Sequence, residues 1–454
     1  MRTMTKRGLA TALFAGLAFG QNPAAPNLAD EDYHVYGDAP RVILGRQRLR
    51  LLQRERERKS MRWDQFSFLI DNGAPFPEPG FAFALHYRAS GDVASAKKAV
   101  EWALGNTSGN AGDLRQLALV FDWCGPAMTQ AQSDRLGAKI EAAVARPASD
   151  VDHQSARALA AVAIADRLKD HGEAILRDIV LNWWRATIVP SLETNKPLIA
   201  REHLYALYEM MHALLDNLKI DLRETAPGYF KQLGIAHIAG HYPAPYPGPN
   251  GEYYIPVFLR DGEPDIRDAT LDRAAGFAMV AYDNNSQESQ FLQGWLLQDR
   301  YLLRSELGTP YEFLWANPYQ PGLSYFHVPL VYHNSSTGEV FARTSWDDDA
   351  TWIGYFNGRL QIFREGQVQT LRAGATAQPV RVADAVLMSA PAGEVVKLHI
   401  DSEALFLMGL APRSVYEVEV DDEEMREMET DAGGTLVLAS PAGIETEARL
   451  RRKP

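Results

Sequence analysis

The chain has 454 residues and a mass of 50.5 kDa, about three times the length of a typical 150-residue domain, so more than one folding unit is expected. Hydrophobic residues make up 46%, charged residues 23% and aromatics 10%, a globular balance that excludes a disordered, collagen-like or disulfide-scaffold chain. The formal charge of -12 excludes a nucleic-acid binder that relies on broad phosphate neutralisation. Any anionic ligand must therefore find a local basic pocket.

Residues 1–20 form the first element. Arg2, Lys6 and Arg7 precede an apolar run from Gly8 to Gly20, with small Ala18 and Gly20 just ahead of Gln21. This is the pattern of a secretory signal peptide, and the run is shorter than the ~20 residues a spanning helix needs. Export, to the periplasm or beyond the cell, with no integral membrane segment is the expectation. Removal of the three basic residues takes the charge to -15. Cys124 is the single cysteine, so it forms no internal disulfide and is expected to be a buried small apolar residue.

Residues 30–317 read as helical, with apolar residues at helical spacing between proline- and glycine-rich stops. The clear helices are Arg46 to Lys59, Val93 to Leu104, Asp113 to Phe121, Gln130 to Val144, His153 to Leu168, His171 to Trp184, Arg201 to Leu218 and Asp268 to Ala281. The proline-rich segment His241 to Pro256 cannot be a regular helix and reads as a long tyrosine-bearing loop. Asn317 to Gly322, rich in proline and glycine, is expected as a protease-sensitive boundary.

From residue 323 to 454 the pattern changes to short alternating or β-branched runs: YFHVPLVYH, EVFARTSW, TWIGYF, LQIFRE, AVLMSA, VVKLHID, ALFLMGL, VYEVEVD and TLVLAS. They predict an antiparallel β-sandwich. The charge run Asp421 to Glu429 reads as a solvated hairpin edge. The fold class is thus α then β: an N-terminal α/α toroid, an incomplete helical barrel, followed by the sandwich.

Specific residues narrow this further. Leu117 to Trp123 (LALVFDW), followed by Met128, Thr129 and a helix from Gln130, resembles a stretch of the heparinase II/III-like and alginate-lyase-like polysaccharide lyases, "aYDWl…lT". Val151 to Ala165 (VDHQSARALAAVAIA) is similar to their "N-H-x…G-A-a-l-a" helix, and Glu202 to Leu218 to their glutamate- and tyrosine-containing helix. Val340 to Trp352 (VFARTSWDDDATW) resembles their strand pair "v.R.sW..dAtw", and the last strands resemble their closing hairpins. Taken in order, these blocks cover most of the chain after the leader.

The resemblance implies cleavage next to a uronate by β-elimination, which needs a base, an acid and neutralisation of the uronate carboxylate. It implies His153 and Tyr205 as the catalytic pair, with Gln154, Arg201, Glu202, His203 and Tyr208 binding substrate. Read from the residues alone, His153 with Asp150 or Asp152 also suits a helix start, and tyrosines at helical spacing also suit a core. The family's H-x-H-x-D-x-G segment is missing. Trp352 to Gly358 runs almost directly into Leu360 to Gly366, with only Arg359 between, and no histidine occurs between His333 and His399. No sandwich histidine and no zinc set carries over, so no cofactor and no metal are expected.

His237 and His241 stand four residues apart as a divalent pair without an assigned third ligand. Glu209 and His212 have di-iron spacing but no second copy, and Asp347 to Asp349 read as a solvated turn. No nucleophile elbow, zincin helix, phosphate loop or dinucleotide fingerprint appears. The expected partner is a uronate-containing polysaccharide or oligosaccharide, with no nucleic acid. The alternatives are a non-catalytic glycan-binding relative, and a toroid glycoside hydrolase using Glu202 with Asp265 or Asp268.

Overall fold

The computed structural model describes residues 27–258, 263–298, 305–372, 379–390, 395–400, 402–420, 425–439 and 446–453. The expected leader, residues 1–20, and residues 421–424 of the charge run lie outside them. Among the described residues no helix is long and apolar enough to cross a membrane.

Fifteen α-helices come first among the described residues: α1 (Arg46–Glu57), α2 (Met61–Asp71), α3 (Pro79–Ser90), α4 (Val93–Leu104), α5 (Ala111–Cys124), α6 (Gln130–Val144), α7 (Val151–Ala163), α8 (Ala165–Leu168), α9 (Asp170–Asp178), α10 (Val189–Ser191), α11 (Leu204–Leu218), α12 (Pro227–Ala239), α13 (Ile266–Tyr282), α14 (Gln287–Gln298) and α15 (Gly308–Trp315). Side-chain caps set several starts: Asp92 for α4, Asn110 for α5, a Thr129–Gln132 capping box for α6, Asp150 for α7 and Asp265 for α13. α3 packs on α5, α5 on α7, α7 on α11, α11 on α13, α13 on α15, and α15 returns to α3. This inner ring, with α4, α6, α12 and α14 outside it, is the expected α/α toroid. Cys124 is buried within it, as its sequence context suggests.

Two segments depart from simple helices. The run predicted over His171 to Trp184 is α9 followed by a π-helix over Ile179–Ile188. Its buried residues are Ile179, Val180, Trp183, Trp184 and Ile188. The loop from His241 to Pro256 contains a small hairpin, β1 (Tyr246–Gly248) with β2 (Gly251–Tyr253), closed by a bridge between His241 and Pro256.

The C-terminal part is the expected β-sandwich, built from three stacked sheets. The first is the antiparallel series β3 (Val331–Asn334), β4 (Glu339–Arg343), β5 (Trp352–Phe356), β6 (Arg359–Arg364) and β7 (Gln367–Arg372). The second contains β8 (Val380–Val382), β9 (Ala385–Ser389), β11 (Ala404–Met408) and β14 (Leu436–Ala439). The third contains β10 (Val395–Ile400), β12 (Val415–Val420), β13 (Arg426–Glu429) and β15 (Thr446–Arg452).

Phe341, Trp352 and Phe356 face α12 and the tyrosine loop, whereas Val340, Ile353 and Tyr355 face the second sheet. Leu387 and Met408 of that second sheet meet the first, and Val386, Leu405 and Leu407 meet the third. Burial on both faces explains its unbroken apolar runs, and β9 pairs with β11 in parallel. Between β5 and β6 the chain turns on Asn357 and Gly358 alone, with φ of 51° and 69°, a two-residue hairpin that leaves no room for the longer histidine segment. In the charge run, β13 pairs with β12 at the edge of the third sheet.

The segment between the halves is docked. Gln293 donates to the carbonyls of Asn317 and Gln320 at 3.0 Å, and the Leu323 amide donates to Gln290 O. A Cβ on Gly294 would stand 1.7 Å from the Leu323 oxygen. The expected protease-sensitive boundary is therefore tied to α14.

Candidate functional site

The junction of the two halves forms where α12 ends. Its exposed carbonyls are met from the first sheet: Arg343 donates to Ala239 O and to His241 O, and the Trp352 indole donates to Ala239 O at 2.9 Å. His237 and His241, one turn apart, bracket this end. The His241 Nδ1 donates to His237 O at 2.6 Å, and its Nε2 lies 2.8 Å from Asp272 Oδ2. His237 Nε2 stands 3.4 Å from the same oxygen. Asp272 projects from α13, and its other oxygen accepts from Arg201 Nε at 2.7 Å. Gly240 makes room for this arrangement, since a Cβ there would lie 2.4 Å from Arg201 Nη1.

All three acid–imidazole side chains are nearly sealed from solvent. Burial alone would raise the Asp272 carboxyl, but Arg201, His237 and His241 together hold it well below the usual carboxylate range. Burial lowers both imidazoles, His237 strongly, with the attraction of Asp272 opposing.

Two recesses flank the cluster. One, of about 360 Å³, is lined by Arg201, Glu202, His237, Asp268 and Phe341 among others. The other, of about 500 Å³, is walled by Tyr254, Trp295, Tyr325, Phe326 and Trp346 with Asp347 to Asp349. Trp295 joins cluster to recess, its ring 4.5 Å from His241 and 5.8 Å from Tyr254. Arg343 stacks over Trp346 at 4.2 Å. The Asp347–Asp349 turn thus rims an aromatic recess.

A second polar cluster occupies the toroid interior. Arg115 bridges Glu78 and Glu209, and Tyr205 donates to Glu209 while accepting from Trp315 Nε1 and Arg115. Tyr311 donates to Glu78 at 2.6 Å. Burial, then the Glu209 charge, raises the Tyr205 hydroxyl well above its ordinary value, so it stays protonated.

The sequence-predicted residues divide among separate surroundings. His153 is partly exposed; Asp150 accepts from its backbone amide and lies 3.0 Å from its Nδ1, so the helix-start role is realised. Gln154 is buried and spent on Ala148 O and Arg157. His203 pairs with Asp152 at 3.0 Å, which raises its pKa. Arg201 belongs to the junction, and Glu202 is exposed beside it. Tyr205 lies inside the toroid, whereas Tyr208 packs against Tyr282 and lines a different recess with Arg223. Glu209 and His212 hold no common site, since Glu209 serves Arg115 and His212 donates to Ala278 O with its pKa pushed down to about 3 by burial.

The motif residues are accounted for structurally. Asp122 of LALVFDW accepts from the Arg41 and Val42 amides, and Trp123 donates to Val42 O. Sequence reasoning missed Asp272, Trp295, Glu78 and Arg115. The only available signal was the His237–His241 spacing, which called for a third ligand.

No family model matches the chain, and no curated protein matches it. Among solved structures it is similar to heparan sulfate lyase HepC from Pedobacter heparinus and to a mutant of that enzyme. Both are 12% identical, with TM-scores of 0.37 and 0.38, over 82% of this chain and 74% of that chain. It is also similar to a glycoside hydrolase, 10% identical with a TM-score of 0.32, over 94% of this chain and 79% of that one.

Proposed function

We propose that this is an exported lyase-like protein that acts on a uronate-containing polysaccharide by β-elimination. The observation that carries this reading is the aromatic recess at the junction, with Arg201 on the neighbouring recess. Sugar rings present apolar C–H faces that pack on Tyr254, Trp295 and Phe326, while a guanidinium answers a uronate carboxylate.

His153 suits the base, because an Nδ1–H directed at Asp150 leaves Nε2 with its lone pair toward solvent. Tyr205 suits the acid rather than the base, because its hydroxyl is held protonated. His203, made more basic by Asp152, stands near the start of α11. One observation favours a second reading, glycan binding without turnover: the Tyr205 hydroxyl already has three protein partners.

The test is a panel of purified polysaccharides, acidic and neutral, followed by ultraviolet absorbance of unsaturated products. Absorbance that grows with wild type and vanishes in Tyr205→Phe supports the lyase. Binding without product selects the second reading, and reducing ends without unsaturation select hydrolysis.

A further inference from the structure

We infer that His237, His241 and Asp272 form a binding site for one divalent transition-metal ion, with zinc the best match to two imidazoles and a carboxylate. The inference is independent of the polysaccharide reading. The ligand atoms of the three residues lie within 4.8 Å of one another, and all three residues are buried.

The distances suit a metal. A zinc ion bound at about 2.0 Å to each ligand in tetrahedral geometry holds its ligand atoms about 3.3 Å apart. His237 Nε2 already stands 3.4 Å from Asp272 Oδ2, and His241 Nε2 stands 2.8 Å from it. The second contact needs to open by about half an ångström.

An independent observation points the same way. His237 is fully buried, yet neither of its ring nitrogens has a hydrogen-bond partner, a state native interiors avoid. A metal at Nε2 satisfies one of them. The surrounding groups also act as an outer shell. The bond from His241 Nδ1 to His237 O fixes the tautomer that frees Nε2 for ligation, and Arg201 binds Asp272 Oδ1 closely at 2.7 Å and Oδ2, the oxygen facing the imidazoles, only at 3.4 Å. Arg201 also brings a like charge, so the site selects an ion that bonds imidazole strongly rather than calcium or magnesium. Three protein ligands leave a fourth position for water, and His237 lines the 360 Å³ recess by which an ion enters.

The full chain, stripped with a chelator and titrated with Co²⁺, tests this. One Co²⁺ per chain is expected, with the intense visible absorption of a low-coordinate site, bleached when Zn²⁺ displaces it. Asp272→Asn disturbs Arg201 and His241 as well, so the decisive variants are His237→Ala and His237→Gln, which break no hydrogen bond. With fold checked by circular dichroism, each should weaken Co²⁺ binding about tenfold or more and abolish the thermal shift that Zn²⁺ gives wild type. Absence of the cobalt spectrum in wild type, or an unchanged spectrum and affinity in both His237 variants, overturns the assignment.

Discussion

Arg115→Met is the most informative single perturbation of the helical half. Arg115 is enclosed between Glu78 and Glu209, and the Glu209 side chain has no solvent exposure. Removing the guanidinium strands Glu209 as a buried charge whose remaining partner is the Tyr205 hydroxyl. Breaking a buried pair from one side costs about 3–5 kcal/mol. With an unfolding entropy of about 2.1 cal/mol/K per residue over a helical unit of about 290 residues, that loss lowers Tm by about 5–8 °C. Differential scanning calorimetry reads it directly. Arg115→Met combined with Glu209→Leu should regain more than half of the loss, because the stranded charge is gone and apolar volume replaces it. A drop below about 1 kcal/mol in the single variant, or a double variant no more stable than the single, would show that the pair does not hold the toroid interior.

Other consequences are open to measurement. The stabilisation from the His203–Asp152 pair is complete below the ordinary imidazole pKa and is lost as pH rises through the raised value; wild type should lose roughly 0.2–1 kcal/mol relative to His203→Gln across that window in urea melts, and parallel pH profiles would contradict it. Gly294→Ala should push the Asn317 to Leu323 segment off α14 and make it the first site of limited proteolysis, whereas wild type resists there; equal cutting in both proteins counts against the docking. Phe326→Ala removes a half-exposed ring of the aromatic recess and should weaken polysaccharide binding about 5- to 30-fold by isothermal titration, equivalent to 1–2 kcal/mol; unchanged affinity would move the sugar elsewhere. If residues 1–20 are a leader, mass spectrometry of the protein made by its own cells should find its start near Gln21, and a start at Met1 would refute the leader.

Legibility in the sequence followed the physics of each element. The bounds of α4 and α6 were readable because an amphipathic stripe begins at a capping residue, Asp92 or Thr129. α3 and α15 were not among the clear helices, since each buries most of its surface inside the ring and carries little periodic signal. The strands were visible, but their stacking into three layers was not, because a strand buried on both faces announces only its apolarity.

The candidate site was half legible. His237 and His241 share a helix end, so their spacing shows in the chain, but Asp272 reaches them from another helix through the tertiary fold. His153 and Gln154 were visible as polar residues at a helix start, and much of their polarity is consumed by that start.

The capping of α12 by the first sheet has a consequence for synthesis. Arg343 and Trp352 follow Ala239 in the chain by 104 and 113 residues, so the Ala239 carbonyl lacks these two side-chain donors while the helical half alone has left the ribosome. Folding from the N-terminus can therefore complete the ring before the side-chain cap on α12 arrives with the first strands. A polypeptide stopped after residue 317 lacks the Arg343 and Trp352 side chains that cap this end, and the helical half receives that cap from material translated later.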